Sequence, residues 1–451
     1  MHVKKTNDQP ELSSEQGSRS MQTDKLKQKV REVLFGNLIT GVSKATGYEY
    51  HYTKPSRKRY PFQYFWDTCF HVHMLLAIDE TEEAQKHMES LFYNQAEDGF
   101  IGNIVYWRQF LPARFTDFFQ MNLRSILKLR SPHMSNIIQP PIVAQTVLKI
   151  YEKSGDTDFV KKMLPKLKLY YDWLAANRDF DGDGLLTIIT TFESGMDWKA
   201  TFDPVVNFRG GKAGWKLFLK VIAVDVKNFL ANYNMERIAH SDHFRVKDAG
   251  FNSIYACNLQ DMAVLCKITG DQEGMHHFTD RLNRVISAII DVLYDEIDAA
   301  FYDVYGKDDQ KIRILTPTIF YPLMIKEISD KYGKAVMEKH FYNRDEFDVP
   351  YPIVSLAKNE PSFYPSESLY IWRGPTWIVH NWFLHKNFIF KEHHNKAEAL
   401  MASMLKLIDK SGFREYYNPF NGEGYGAEDF TWAGLILDMM SNADRKKKNG
   451  D

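Results

Sequence analysis

Two acidic residues of this chain stand where acid–base chemistry could be done. Asp197 lies in "ESGMDWKATFDP", between Gly195 and Trp198, in a stretch that follows neither a helical nor a strand pattern. An adjacent indole would strip water from the carboxyl and raise its pKa, as a general acid requires. Glu415 opens "EYYNP", among tyrosines, far along the chain. Glycoside hydrolysis needs such a pair, one carboxyl to protonate the leaving oxygen and one to activate water or attack carbon. Composition alone leaves the pairing open, because Asp67, Glu193, Glu423, Glu428 and Asp429 are competing acids.

The surroundings narrow the chemistry. Aromatic residues make up 14% of the chain, and many sit beside Gly, Asn and Asp rather than inside helical runs. Sugars offer apolar faces that stack on such rings, although rings can equally cap a large core. "RYPFQYFWDTCFH" gathers Tyr60, Tyr64, Trp66 and Asp67; in "SNIIQPPIVA", Gln139 precedes two prolines that fix the backbone at a helix start. In "YIWRGPTW", Trp372 and Trp377 bracket Arg373 and Gly374, presenting two rings and a guanidinium on one turn. With "ESGMDW" and "GFREYYNPFNGEGYGAEDFTWAG", these stretches fall at the ends of successive helices, which points to a shared concave site.

Other chemistries find less support. Lys and Arg number 57 against 58 for Asp and Glu, so charge makes no case for nucleic acid or an anionic membrane as partner. No run nears the roughly 18 apolar residues of a membrane span. The polar N-terminal stretch lacks the apolar core of a secretory signal, and the expected location is the cytoplasm. Three cysteines, Cys69, Cys257 and Cys266, fit neither a disulfide framework nor a metal site. "DFDGDG", Asp179 to Gly184, matches the first half of an EF-hand loop, but Thr190 stands where that loop needs a bidentate Glu, so an acidic turn is expected. His71 and His73, His276 and His277, and His393 and His394 lack zinc spacing to a third ligand and are expected on helix surfaces or in packing. No metal or cofactor is implied. A helix-rich surface is compatible with a homo-oligomer, and no face in the sequence identifies one.

The elements that must hold these residues are helical. "DKLKQKVREVLFGNLI", "TVLKIYEKS", "DFVKKMLPKLKLYYDWLAANR", "NLQDMAVLCKITG", "HHFTDRLNRVISAIIDVLYDE" and "AEALMASMLKLIDKSG" all carry apolar residues at three- and four-residue spacing. Gly155 and Gly270 sit where a residue just past a helix C-terminus belongs. An acidic turn, an amphipathic helix and a short extended piece recur at irregular intervals of about 85 to 115 residues, and alternating β-branched runs are rare. This texture predicts an all-α (α/α)6 toroid, helical hairpins around one central cavity with long loops at one end. The toroid is expected over residues 24–443, between a polar disordered tail at 1–23 and a basic tail at 444–451.

Taken in order, "FWDTCF", "QPP", "ESGMD", "WRGPTW" and "EYYNPFNGEGYGAEDFTW" resemble the (α/α)6-barrel glycosidases of glycoside hydrolase family 63. The likeness is nearest to the branch of mannosylglycerate and glucosylglycerate hydrolases and runs from about residue 25 to residue 443. Trehalases share a looser version of the same series. The resemblance implies inverting hydrolysis of a small α-glucoside or α-mannoside, with Asp197 as general acid and Glu415 as general base. It also implies sugar contacts from Trp66 and Asp67, with Tyr60 and Tyr64 as wall residues, and from Gln139, Trp372, Arg373, Gly374 and Trp377. Ile371 departs from the pattern, since the glycerate-specific members carry Tyr there. A basic residue for the glycerate carboxylate is also implied, with Arg209, Lys212 and Arg108 as candidates. The alternatives are a trehalase-like or oligosaccharide α-glucosidase, and a sugar-binding toroid without hydrolysis.

Overall fold

In the computed structural model the described backbone comprises residues 9–108, 115–121, 132–209, 213–391 and 393–441. Lys212, the first eight residues and the basic end at 444–451 lie outside it. The chain folds as helical hairpins with short sheets at their ends. Helix α1 spans Gln9–Gly36, α2 Phe65–Ala77, α3 Thr81–Tyr93, α4 Val143–Ser154, α5 Thr157–Arg178 and α6 Trp215–Leu230. Then come α7 at Met235–Ser241, α8 at Ala249–Thr269, α9 at Gln272–Ala288, α10 at Asp330–Val336, α11 at Ile378–Phe390 and α12 at His394–Ser411. Helix α1 takes in much of the polar stretch expected as a disordered tail; its Glu, Gln, Ser and Met are compatible with helix, and among its described side chains, from residue 23 on, the first buried one is Val30.

The tight hairpins are made by local chemistry. After α4, Gly155 takes the left-handed conformation (φ 70°), and the next residue, Asp156, caps α5 by accepting from the Phe159 amide. Gly270 and Asp271 repeat the device between α8 and α9, with φ 79° and an Asp271 carboxylate that accepts from Gly274. An L side chain strains that backbone, and the following carboxylate satisfies an orphan amide. One expected helix is shorter than its pattern: α1 stops at Gly36, and Leu38–Val42 pairs antiparallel with Glu49–Thr53. Every sheet among the described residues has two or three strands.

Packing contacts run from α2 to α4, from α4 to α8, and from α8 to the 3-10 segment Pro317–Met324. They continue to α11, then to the 3-10 segment Thr431–Leu435, and return to α2. These elements close a ring. Against their outer sides lie α3 on α2, α5 on α4, α9 on α8, α10 on Pro317–Met324 and α12 on α11. Two ring helices are buried on nearly all sides: α2 buries every residue from Phe65 to Leu76, and α11 buries Ile378 to His385 without a break. The outer helices bury one stripe each, as in α9, where Phe278, Leu282, Val285 and Ile286 face inward. That division follows from position, since an inner helix meets protein on both sides and an outer one on one side only.

Candidate active site

The residues singled out in the sequence collect where the ring elements begin. Trp66 and Asp67 lie in the first turn of α2, Gln139 shortly precedes α4, and Trp377 caps α11. Trp432 is in the segment Thr431–Leu435. Asp197 follows the 3-10 turn Thr191–Ser194, and Glu415 is on the hairpin of Arg414–Tyr417 with Gly424–Glu428. Together they line a cavity of about 720 Å³, counted with its mouth. Helix N-termini carry partial positive charge, so this end of the ring favours carboxylates.

Asp197 is carried by a loop fixed on both flanks by buried charge. Upstream, Glu193 is fully buried and bidentate to Arg178, at 2.6 and 2.8 Å, and also accepts from the Ile138 and Ile189 amides. That carboxylate therefore ties together the "QPP" and "ESG" stretches. Downstream, the buried Lys199 ammonium pairs with Asp248 and, at 2.6 Å, with Asp303. Burial opposes its charge, yet those carboxylates hold its pKa above the ordinary value. Further on, Asp203 is bidentate to Arg373 at 2.5 and 2.7 Å, while Arg373 Nε donates to the Trp198 carbonyl at 2.9 Å. Gly195, at φ 74°, lies flat against Trp66; a Cβ there would come within 2.5 Å of the indole. Asp197 itself is half-buried on the cavity wall.

Glu415 is held directly. Its side chain is 1% exposed. Arg59 Nη1 and the Ala427 amide both donate to Oε2 at 2.8 Å, and the Tyr60 hydroxyl donates to Oε1 at 2.6 Å. A carboxylate with donors on both oxygens is arranged to act as an acceptor. Gly426 (φ 68°) lets the hairpin close on it, since a Cβ at that position would lie 2.6 Å from Oε2.

Asp67 is a third buried carboxylate in the cavity. Burial pushes its pKa up to about 7, against the hydrogen bond from Trp432 Nε1 at 2.8 Å, and the charges of Asp197 and Glu415 add to the rise. The rings form a continuous wall. Trp372 and Trp377 stack at 3.8 Å, Trp66 meets Trp432 edge-on at 5.2 Å, and Tyr60 is edge-on to Tyr64 and Phe430 at 5.9 Å. Gln139 Oε1 accepts from the Trp66 amide at 3.2 Å, which fixes one edge of that wall.

The structure thus brings Tyr60, Tyr64, Trp66, Asp67, Gln139, Asp197, Trp372, Trp377 and Glu415 to one cavity. Arg373 and Gly374 are not on its lining. Arg373 is 2% exposed and committed to Asp203, and Gly374 (φ 149°) packs against the Tyr364 carbonyl. Both hold the turn that presents the two tryptophans. Trp198, expected to desolvate Asp197, is not itself on the lining; its ring packs against Phe192, Phe218 and Tyr370. Of the competing acids, Glu193 is consumed by Arg178. Asp181 and Asp183 of the acidic turn, with Asp309, converge on the Lys247 ammonium at 2.7 to 2.9 Å, so an ammonium sits where an EF-hand would place its ion. Arg108 binds Tyr50 and the Thr40 carbonyl, and Arg209 lines a separate surface hollow. Neither reaches the cavity.

Sequence reading missed several members of the site. Phe430 and Trp432 stand inside the quoted "AEDFTW" stretch, and Arg59 opens "RYPFQYFWD", so their signal was adjacency to named residues. Asp117 and Gln120, on the 3-10 segment Phe115–Gln120, also line the cavity. Nothing in their local pattern announces them.

Known proteins resemble this chain over most of its length. Residues 60–433 match the family described as mannosylglycerate hydrolase MGH1-like glycoside hydrolase domain. A mannosylglycerate hydrolase from Thermus thermophilus is 29% identical over 415 residues, covering 85% of this chain and 95% of that protein. A glucosylglycerate hydrolase from Mycolicibacterium hassiacum is 25% identical over 430 residues, covering 84% and 92%. The crystal structure of a family 63 mannosylglycerate hydrolase of Thermus thermophilus with glucose superposes with a TM-score of 0.77 at 26% identity, covering 92% of this chain and all of that one.

Proposed function

Because the chain belongs to the mannosylglycerate hydrolase MGH1-like family of glycoside hydrolases, we propose that it hydrolyses a short α-mannoside or α-glucoside with inversion. The ring closed by α2, α4, α8, Pro317–Met324, α11 and Thr431–Leu435 supports reading the scaffold as an (α/α)6 toroid with its active site at one mouth. One observation carries the mechanism: Asp197 and Glu415 line the same aromatic-walled cavity in different settings. Asp197 delivers a proton to the glycosidic oxygen. Glu415, already surrounded by donors, takes a proton from a water that attacks the opposite face of the anomeric carbon. An inverting pair leaves about 6.5–9.5 Å between carboxyl groups for that water. Asp67 and the tryptophans orient the sugar at the cavity floor.

The names of the relatives favour a glycerate aglycone. A second reading, a neutral aglycone, has its own support: among the described lining residues are Asp67, Asp117, Asp197 and Glu415 but no Lys or Arg, and Ile371 occupies the wall. Side-by-side assay of mannosylglycerate, glucosylglycerate, trehalose and nigerose separates the two. A preference for a glycerate compound supports the first reading, and a preference for a neutral disaccharide the second. Proton NMR of the fresh product from an α-glycoside should show the β anomer first; an α anomer first overturns inversion.

A further inference from the structure

We propose that Arg59 is a positioning residue for the reaction: its guanidinium fixes the Glu415 carboxylate so that Oε1, and not Oε2, is the oxygen that takes the proton from water. The inference rests on the reading of Glu415 as the base. An ionised carboxylate offers about four acceptor sites, two on each oxygen. On Oε2 both are taken, by Arg59 Nη1 and by the Ala427 amide, each at 2.8 Å. That oxygen also faces the hairpin backbone, because the Gly426 Cα sits close enough that a Cβ would come within 2.6 Å of it. On Oε1 the Tyr60 hydroxyl takes one site and leaves one. The free acceptor site is thereby placed on a single, known atom.

The local backbone explains how one carboxylate is gripped from both ends. Consecutive residues of an extended strand point to opposite faces, yet Arg59 and Tyr60 both reach Glu415. Residues 56–60 form a tight turn, with Ser56 bridging to Tyr60 and the Arg59 amide donating to Ser56 Oγ at 3.2 Å. The guanidinium carbon also lies 5.6 Å from the Tyr60 ring centroid. The Arg59 side chain is 36% exposed, against 1% for Glu415, and the Tyr60 hydroxyl and Ala427 amide stay on the buried carboxylate when the guanidinium is removed. The guanidinium acts on the geometry of the carboxylate, as charge-assisted hydrogen bonds fix orientation.

The test compares Arg59→Ala, Arg59→Lys and Glu415→Gln on the α-glycoside that wild type hydrolyses best. Arg59→Ala should lower kcat on the order of 10- to 100-fold with KM changed by less than about twofold. Arg59→Lys, which restores one donor, should recover part of kcat. Because the site is half open to water, millimolar guanidinium should raise kcat of Arg59→Ala, while sodium chloride at equal ionic strength should not. An Arg59→Ala enzyme with unchanged kcat, a loss lying wholly in KM, or equal rescue by both salts overturns the proposal. If Arg59→Ala fails to fold, Arg59→Lys against Arg59→Gln decides it, and equal kcat in the two overturns it. Glu415→Gln separates the two readings: an active Glu415→Gln enzyme removes the base assignment itself, whereas an inactive one with unchanged Arg59→Ala removes only the role of Arg59.

Discussion

The two sides of the candidate active site differ in the contacts that surround their carboxylates. On the Asp197 side, buried ion pairs grip the loop upstream and downstream of the acid: Glu193 with Arg178, Lys199 with Asp248 and Asp303, and Asp203 with Arg373. On the Glu415 side the donors lie on the carboxylate itself, from Arg59, Tyr60 and Ala427. The difference suits the roles proposed for the two residues. A general acid has to keep a proton, and a cation placed on its carboxyl would drive that proton off. The flanking pairs add rigidity to the loop that carries Asp197. A general base must be ionised, so donors on it are compatible with its task. Such division of environment is how two carboxylates in one pocket come to play different parts.

The largest effect that could break this comparison depends on the leaving group. Asp197→Asn and Glu415→Gln should each reduce turnover of an ordinary α-glycoside by about 10²- to 10⁴-fold. On a substrate whose leaving group needs no proton, such as an α-glycosyl fluoride, Asp197→Asn should recover most of its activity. Glu415→Gln should not, because water must still be deprotonated. Steady-state rates of both variants on both substrates give the answer, and recovery by Glu415→Gln instead would exchange the roles.

A smaller effect separates the two sides by stability. Asp203→Asn leaves the Arg373 guanidinium buried with its charge uncompensated, which costs about 3–5 kcal/mol. Arg59→Ala removes a partner that is 36% exposed and leaves Glu415 its donors from Tyr60 and Ala427, so its cost should be smaller. Urea unfolding of the two variants should therefore differ by several-fold in destabilisation. Equal losses would mean that the flanking pairs are not what fixes the acid loop.

The sequence carried the helices because amphipathic periodicity and Gly–Asp junctions such as Gly155–Asp156 are local signals. It also carried Asp197, Glu415 and the tryptophans, since each sits in a short ordered stretch resembling one family. It could not carry what depends on distant partners. Arg373 reads in "WRGPTW" as a pocket residue, but its guanidinium is spent on Asp203, far away in the chain. Trp198 adjoins Asp197 in sequence, yet its ring packs against Phe218 and Tyr370. Adjacency along a loop says little about which way a side chain turns. Asp117 and Gln120 enter the cavity from a 3-10 segment with no distinguishing pattern, and the ring itself is a property of contacts between elements that no single stretch encodes.

Between the two sides lies Asp67, and it supplies the subtlest test. Its carboxyl is pushed up to about 7, mainly by burial and further by the charges of Asp197 and Glu415. The fold therefore favours its protonated form between the ordinary value of 3.8 and about 7. Over that window the native state binds more protons than the unfolded chain, so stability falls as pH rises and levels off above 7. Asp225 and Asp261, also pushed up to about 7 by burial, act in the same direction. Asp67→Asn removes one of these contributions, on the order of a few kcal/mol at neutral pH. The variant should lose less stability than wild type between about pH 5 and about pH 8 in urea unfolding. An unchanged loss would mean that Asp67 is ionised throughout, sharing the cavity floor with Glu415 as a second fixed anion. In the protonated form it adds no third charge beside Asp197 and Glu415.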